Sequence, residues 1–111
     1  MTNIKFFKNS NGDIVKYILK GHTGFEESGK DIVCSAVSVL AITGANSLNE
    51  VCNINIKVNM EDGYLEVLIP EDINTEKRDK ANVVIETILV GIKSTMESYP
   101  DYITLEYGEV E

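Results

Sequence analysis

Apolar and polar residues alternate over two short runs near the start of the chain, at residues 2 to 8 and 13 to 20, and the alternation predicts two strands. Asn11-Gly12 lies between them. Both residues tolerate the left-handed backbone of a tight turn, so the pair reads as a hairpin. In the second strand Val15, Tyr17 and Leu19 share one face, the expected core face, and Ile14, Lys16, Ile18 and Lys20 share the other. Residues 51 to 60 alternate strictly, setting Cys52, Ile54, Ile56, Val58 and Met60 against Asn53, Asn55, Lys57 and Asn59. That pattern predicts a half-buried strand with Cys52 turned inward. Asp62-Gly63 then turns the chain into a fourth strand, Tyr64 to Ile69, which Pro70 ends. Tyr102 to Tyr107 alternates again and is expected as a short edge strand, followed by a frayed acidic end.

Two stretches carry helical spacing instead. Val33, Ala36, Val37 and Leu40 form an apolar stripe over residues 31 to 43, with Gly44 as the expected stop. Ala81, Val84, Ile85, Ile88, Leu89, Ile92 and Met96 repeat at helical intervals over Thr75 to Ser98, with Asn74 as a cap and Pro100 as the terminator. The order ββαββαβ predicts an α+β, two-layer domain: one mixed, mainly antiparallel sheet with both helices packed on one face. At 111 residues the chain reads as a single domain, 1-111, able to bury a core without disulfides or metal.

Charge narrows the partners. Ten Lys and Arg against eighteen Asp and Glu give a net charge of -8, which disfavours direct nucleic-acid binding and suits basic partners. Two cysteines, one histidine and no C-x-x-C indicate no metal site, and no cofactor is expected. With neither a signal-like apolar core at the N-terminus nor an evident membrane-length apolar run, a cytoplasmic protein with reduced thiols is expected. The long apolar helix faces suggest a homodimer.

The candidate chemistry lies in Gly21 to Ser38, G-H-T-G-F-E-E-S-G-K-D-I-V-C-S-A-V-S, which holds the only histidine and one of the two cysteines. His22 follows the end of a strand. Cys34 falls just inside a helix that opens at Asp31, or at Ser28 if Ser28 caps and Asp31 closes a capping box. Asp31 is the preferred cap, because Gly29 would interrupt the first turn of the longer helix. Cys34 then sits among orphan backbone N–H groups and the positive end of the helix dipole, which favour thiolate and could stabilise an oxyanion. Residues 21 to 30 read as a loop whose Gly24, Phe25 and Gly29 suit a lid over an extended peptide. Spacing alone also fits a bland account: a small buried hydrophobe in a helix and a polar loop residue.

G-H at 21 and 22, followed by G-K-D-I-V-C-S-A-V-S at 29 to 38, resembles the signature of the ribosomal-processing cysteine proteases, the Prp family. The resemblance implies a catalytic dyad at Cys34 and His22, with Gly21, Asp31 and Ser38 as matching supporting positions. Ser35 departs from the small apolar residue common there. It further implies removal of the short N-terminal extension of a large-subunit ribosomal protein, with cleavage after a Phe-Phe pair, and a homodimer. Two rivals belong to other classes. One is a non-catalytic ribosome-associated assembly factor that binds basic ribosomal protein segments. The other is a thiol redox sensor, which would need Cys52 as the resolving cysteine against its inward placement.

Overall fold

The elements follow in the order β1 (Thr2–Lys8), β2 (Ile14–Lys20), α1 (Ser28–Glu50), β3 (Lys57–Glu61), β4 (Tyr64–Leu68), α2 (Thr75–Ser98) and β5 (Ile103–Glu109). The structure, a computed structural model, describes residues 1–21 and 28–110, with residues 28–31 described by their backbone. The five strands form one sheet in the order β3-β4-β2-β1-β5. β1 pairs with β2, β2 with β4 and β3 with β4 in antiparallel fashion, while β5 runs parallel to β1 at the edge. Both helices cover one face. Phe6, Tyr17, Leu19 and Val67 of the sheet meet Val33, Val37 and Leu48 of α1 and Ala81, Ile85, Ile88 and Ile92 of α2.

The expected core face of β2 is buried, and Ile14, assigned to the opposite face, is buried too. The ladder shifts register between Phe7 and Lys8, opposite Ile14, so strict alternation fails at that end. The first turn forms as expected, with Gly12 at φ 82. α2 spans the expected residues: the Asn74 side chain accepts from the Lys77 N–H at 2.9 Å, and the chain leaves the helix at Tyr99, before Pro100.

α1 corrects the sequence reading at both ends. It starts at Ser28 rather than Asp31 and continues past Gly44 to Glu50. At the start, Ser28 with an acid three residues on is itself a helix-opening signal, and one glycine in a helix costs only about 1 kcal/mol. Gly44 lies where a side chain does not fit, since a Cβ there would stand 2.8 Å from Ile88 Cδ1 and 3.0 Å from the Tyr17 hydroxyl. That hydroxyl donates to the Ala41 carbonyl at 2.8 Å, in the middle of the helix. Gly44 therefore serves close packing, and burial of Ala45 and Leu48 beyond it carries the helix on. Ile32–Glu50 is, by length and composition, apolar enough to cross a membrane, contrary to the expectation that no run comes near it. In this fold its buried positions, including Val33, Val37 and Ala41, are core residues.

β3 is also shorter than expected. Residues 51 to 56 are not strand; Asn53 takes φ 56, and the Leu48 carbonyl accepts from the Ile54 N–H at 3.0 Å as the chain folds back on the end of α1. Cys52 and Ile54 are buried as the alternation suggested, but through this turn rather than a strand. Lys57–Glu61 forms an exposed edge, so Val58 and Met60, expected inside, stay exposed even though their register places them on the helix side of the sheet.

Candidate active site

β2 ends at Lys20, and the next residue fixes the local geometry. The Gly21 N–H donates to the Gly63 carbonyl at 2.9 Å, joining the end of β2 to the β3–β4 turn. Gly63 is required twice over: its φ of 72 lies in the left-handed region, and a Cβ on it would stand 2.5 Å from the Gly21 carbonyl oxygen. A Cβ on Gly21 would lie 3.2 Å from Cys34 Sγ and 3.3 Å from Thr2 Oγ1. Among the described residues the positive-φ glycines are Gly12 and Gly63. What Gly21 supplies is absent bulk, which lets the strand end approach the thiol closely.

Cys34 occupies the rim of α1. Val33 and Val37 are driven into the core, which leaves Cys34 beside them at 9% exposure, reaching the surface through a cleft of about 110 Å³. α1 supplies Cys34, Ser38 and Ile42 to this cleft, one turn apart, and the sheet edge supplies Gly21, Met60, Glu61 and Tyr64. Ser38, expected as a supporting hydroxyl, is thus a half-buried wall residue next to the thiol.

The longer helix changes the expected electrostatics. Cys34 is the seventh residue of α1 rather than the third helical residue, so its own N–H belongs to the helical ladder and is not an orphan donor. The dipole contribution, largely confined to the first turn, is correspondingly weaker there. Asp31 and Gly29 lie within α1, whereas Gly29 was expected in a loop. His22, Gly24 and Phe25, and with them most of the expected lid, lie outside the described residues.

Glu61 is the carboxylate among the residues that line the cleft, and Glu66 lies next to its wall residues Tyr64 and Leu65 in β4. A hydrogen bond from Asn59 at 2.7 Å, with Lys16 at 3.5 Å as a further partner, holds the Glu66 carboxyl below its usual range. Desolvation first, then Glu66 and Glu61, push the Tyr64 phenol up, so it stays neutral. Cys52 is the contrasting thiol: 2% exposed, and pushed up by burial that Lys80 only partly offsets. Among the described residues no group of three His, Cys, Asp or Glu is placed to hold a metal ion.

Sequence reasoning placed Cys34, Gly21 and Ser38 together but missed Met60, Glu61, Gly63 and Tyr64. Asp62-Gly63 was legible as a turn, and nothing local says that the turn docks on Gly21. The result is a soft nucleophile on the floor of an open, acid-rimmed cleft, an arrangement suited to acyl transfer from a polypeptide carbonyl.

Related proteins share both the sequence and this architecture. The ribosomal processing cysteine protease Prp of Bacillus subtilis (strain 168) is 27% identical over 90 residues, 79% of this chain and 80% of that protein. The crystal structure of SMU.848 from Streptococcus mutans superposes with a TM-score of 0.83 at 28% identity, covering 99% of this chain and 96% of that one. The essential ribosomal processing protease Prp from S. aureus, in complex with a covalently linked product peptide, superposes with a TM-score of 0.79 at 26% identity, covering 96% of this chain and 99% of that one. The family model described as cysteine protease Prp matches residues 1–104, and with that span of 111 residues the chain belongs to the Prp family of cysteine proteases.

Proposed function

We propose that this chain is a cysteine endopeptidase with Cys34 as nucleophile and His22 as proton carrier. Its substrate is the short N-terminal extension of a large-subunit ribosomal protein, cut after a Phe-Phe pair. The observation that carries this reading is the Cys34 thiol at the floor of a cleft beside Gly21, the residue immediately before His22 in the chain. The relatives named as ribosomal processing proteases support the substrate class.

In the proposed reaction the imidazole takes the thiol proton and Sγ attacks the scissile carbonyl. The carbon–nitrogen bond of the tetrahedral intermediate breaks, the imidazolium hands its proton to the departing amine, and a thioester remains. Water, deprotonated by the same imidazole, then hydrolyses the thioester and restores the thiol. Asp31 and Ser38 support the helix that carries Cys34. The net charge of -8 and the Glu61 rim attract a basic N-terminal segment. The enzyme acts in the cytoplasm as a homodimer, a state favoured by the exposed Ile32 and Val39 on α1.

The test is incubation with the ribosomal protein followed by intact-mass analysis. Loss of the extension is expected for the wild type, with no loss for Cys34→Ala or His22→Ala. Replacing both phenylalanines by alanine should slow cleavage at least tenfold, because anchoring energy positions the carbonyl. Equal rates for the two substrates would remove the Phe-Phe assignment, and turnover by Cys34→Ala would remove the nucleophile.

A further inference from the structure

Both helices pack on one side of the sheet, and no helix among the described residues lies on the other. On that open face the net charge of the chain is reversed. Lys5, Lys16, Lys20 and Lys57 stand there against Glu61, Glu66 and Glu106, so the face is net positive on a chain of net charge -8. Glu66 is engaged within the sheet, by Asn59 at 2.7 Å and Lys16 at 3.5 Å, and Glu61 and Glu106 belong to the two edge strands. The row that the register sets across the sheet as Lys57, Leu68, Lys16, Phe7 and Gly108 holds no acid.

Phe7 is the centre of this face. It lies half-buried on the side away from the core, with the Lys16 ammonium 4.8 Å and the Lys5 ammonium 5.2 Å from its ring centroid. Gly108 makes room for the group: a Cβ there would stand 2.8 Å from Lys5 Cε and 3.2 Å from Phe7 Cδ2. The ring and the Lys5 stem therefore lean over β5 instead of standing clear of it. Beside them Asn3, Lys5, Phe7, Ile18, Lys20 and Thr104 line a shallow depression of about 530 Å³. Lys20 in turn lies 5.8 Å from the centre of the Tyr64 ring.

Two chemistries meet here. An aromatic ring on a sheet surface is a platform for a flat heterocycle, and flexible ammonium groups around it reach anions one link along a chain. A cation–π contact at an exposed site is weak, so a phosphate can draw the ammonium groups off the ring and clear it for stacking. An acidic peptide would use the lysines and leave the ring idle. We infer that the open sheet face binds a single-stranded nucleic acid, with a base stacked on Phe7 and neighbouring phosphates on Lys5, Lys16 and Lys20. The negative remainder of the chain keeps this binding weak and confined to that face.

The probes are a short, unstructured, fluorescein-labelled RNA and the DNA of the same sequence, titrated with the full-length protein by anisotropy over a range of KCl. Binding is expected, and the tighter of the two names the source. Its log affinity should fall with log salt at a slope of about -2, the value for three phosphates on a single strand. Phe7→Leu removes the ring and keeps apolar bulk, and it should weaken binding about fivefold or more. Lys5→Gln combined with Lys16→Gln should flatten the slope to about -0.7. NMR shift mapping on the wild type needs no variant: the amides that move on adding either probe should lie in β1, β2 and β5. No binding of either probe at the lowest salt, movement confined to α1 and α2, or an affinity that Phe7→Leu leaves unchanged overturns the inference. Displacement of the probes by oligoglutamate of equal charge, with no dependence on Phe7, would make the face a dock for acidic protein and overturn it as well. Cys34 lies on the helix side of the sheet, so none of these outcomes bears on the peptidase reading.

Discussion

The Gly21 amide donates to the Gly63 carbonyl at 2.9 Å, so two glycines from distant parts of the chain hold each other in place next to the Cys34 thiol. The pair couples a turn at the sheet edge to the strand end beside the Cys34 thiol. Alanine at either position should therefore fail in a different way.

Gly21→Ala inserts a methyl 3.2 Å from Cys34 Sγ, and either the thiol or the strand end must give by a few tenths of an ångström. We expect kcat/KM for peptide cleavage to fall tenfold or more, with stability lowered by about 1 kcal/mol. Gly63→Ala combines a 2.5 Å clash on backbone with a positive φ. It should cost about 2 to 3 kcal/mol, read as a lower urea midpoint.

The two thiols should separate on alkylation. Cys52 is raised above its ordinary value by burial, so less of it is thiolate at any pH, and it is 2% exposed. Brief treatment of the native protein at pH 8 should label Cys34 first, and Cys52 labelling should climb as pH rises toward 10. Peptide mapping checks both, and early labelling of Cys52 would contradict the assignment of Cys34 as the open thiol.

Glu66 offers a pH test away from the thiol. Its carboxyl is depressed in the folded state, first by the Asn59 amide, so the stability it contributes is complete above the unfolded carboxyl value and is lost as pH falls through the folded one. Asn59→Ala should move the Glu66 titration, followed by carboxyl NMR, upward toward the ordinary glutamate range. An unchanged titration would assign the shift to Lys16 and Tyr64 instead.

Arg78 fastens α2 to the sheet. Its guanidinium donates to the carbonyls of Ile14 and Pro70 at 3.1 Å each and lies 3.8 Å from Asp13. With 11% of the side chain exposed, its replacement by alanine leaves two carbonyls without their charged donor. A loss of about 2 to 3 kcal/mol is expected in equilibrium unfolding, and Arg78→Lys should recover only part of it.

How much of this was legible depended on whether a local signal decided the matter. Asn74 and Pro100 are local devices, and α2 matched its expected ends. Gly44 and Gly29 read as punctuation because isolated glycine favours loops, but contact between Gly44 and Ile88 exists only once helix and helix meet. The alternation of residues 51 to 60 mixed two causes, a turn that buries Cys52 and Ile54 and an edge strand that buries nothing. In the site, the Cys34, Ser38 and Gly21 grouping followed from motif and helical spacing. Arg78, and the docking of Gly63 on Gly21, follow only from tertiary pairing, which a linear pattern does not carry.

The parallel pairing of β1 with β5 has a temporal side. Thr2 is held by its N–H to the Tyr102 carbonyl at 2.9 Å and pairs with Ile103, and the same Thr2 stands against Gly21. Translation makes β5 the last of these elements, so the segment bearing Cys34 leaves the ribosome well before the strand that pins Thr2. Contacts of such long sequence separation are also the slow ones to form. A nascent chain thus carries Cys34 and every residue lining its cleft before the last strand arrives to pin Thr2 and close the sheet.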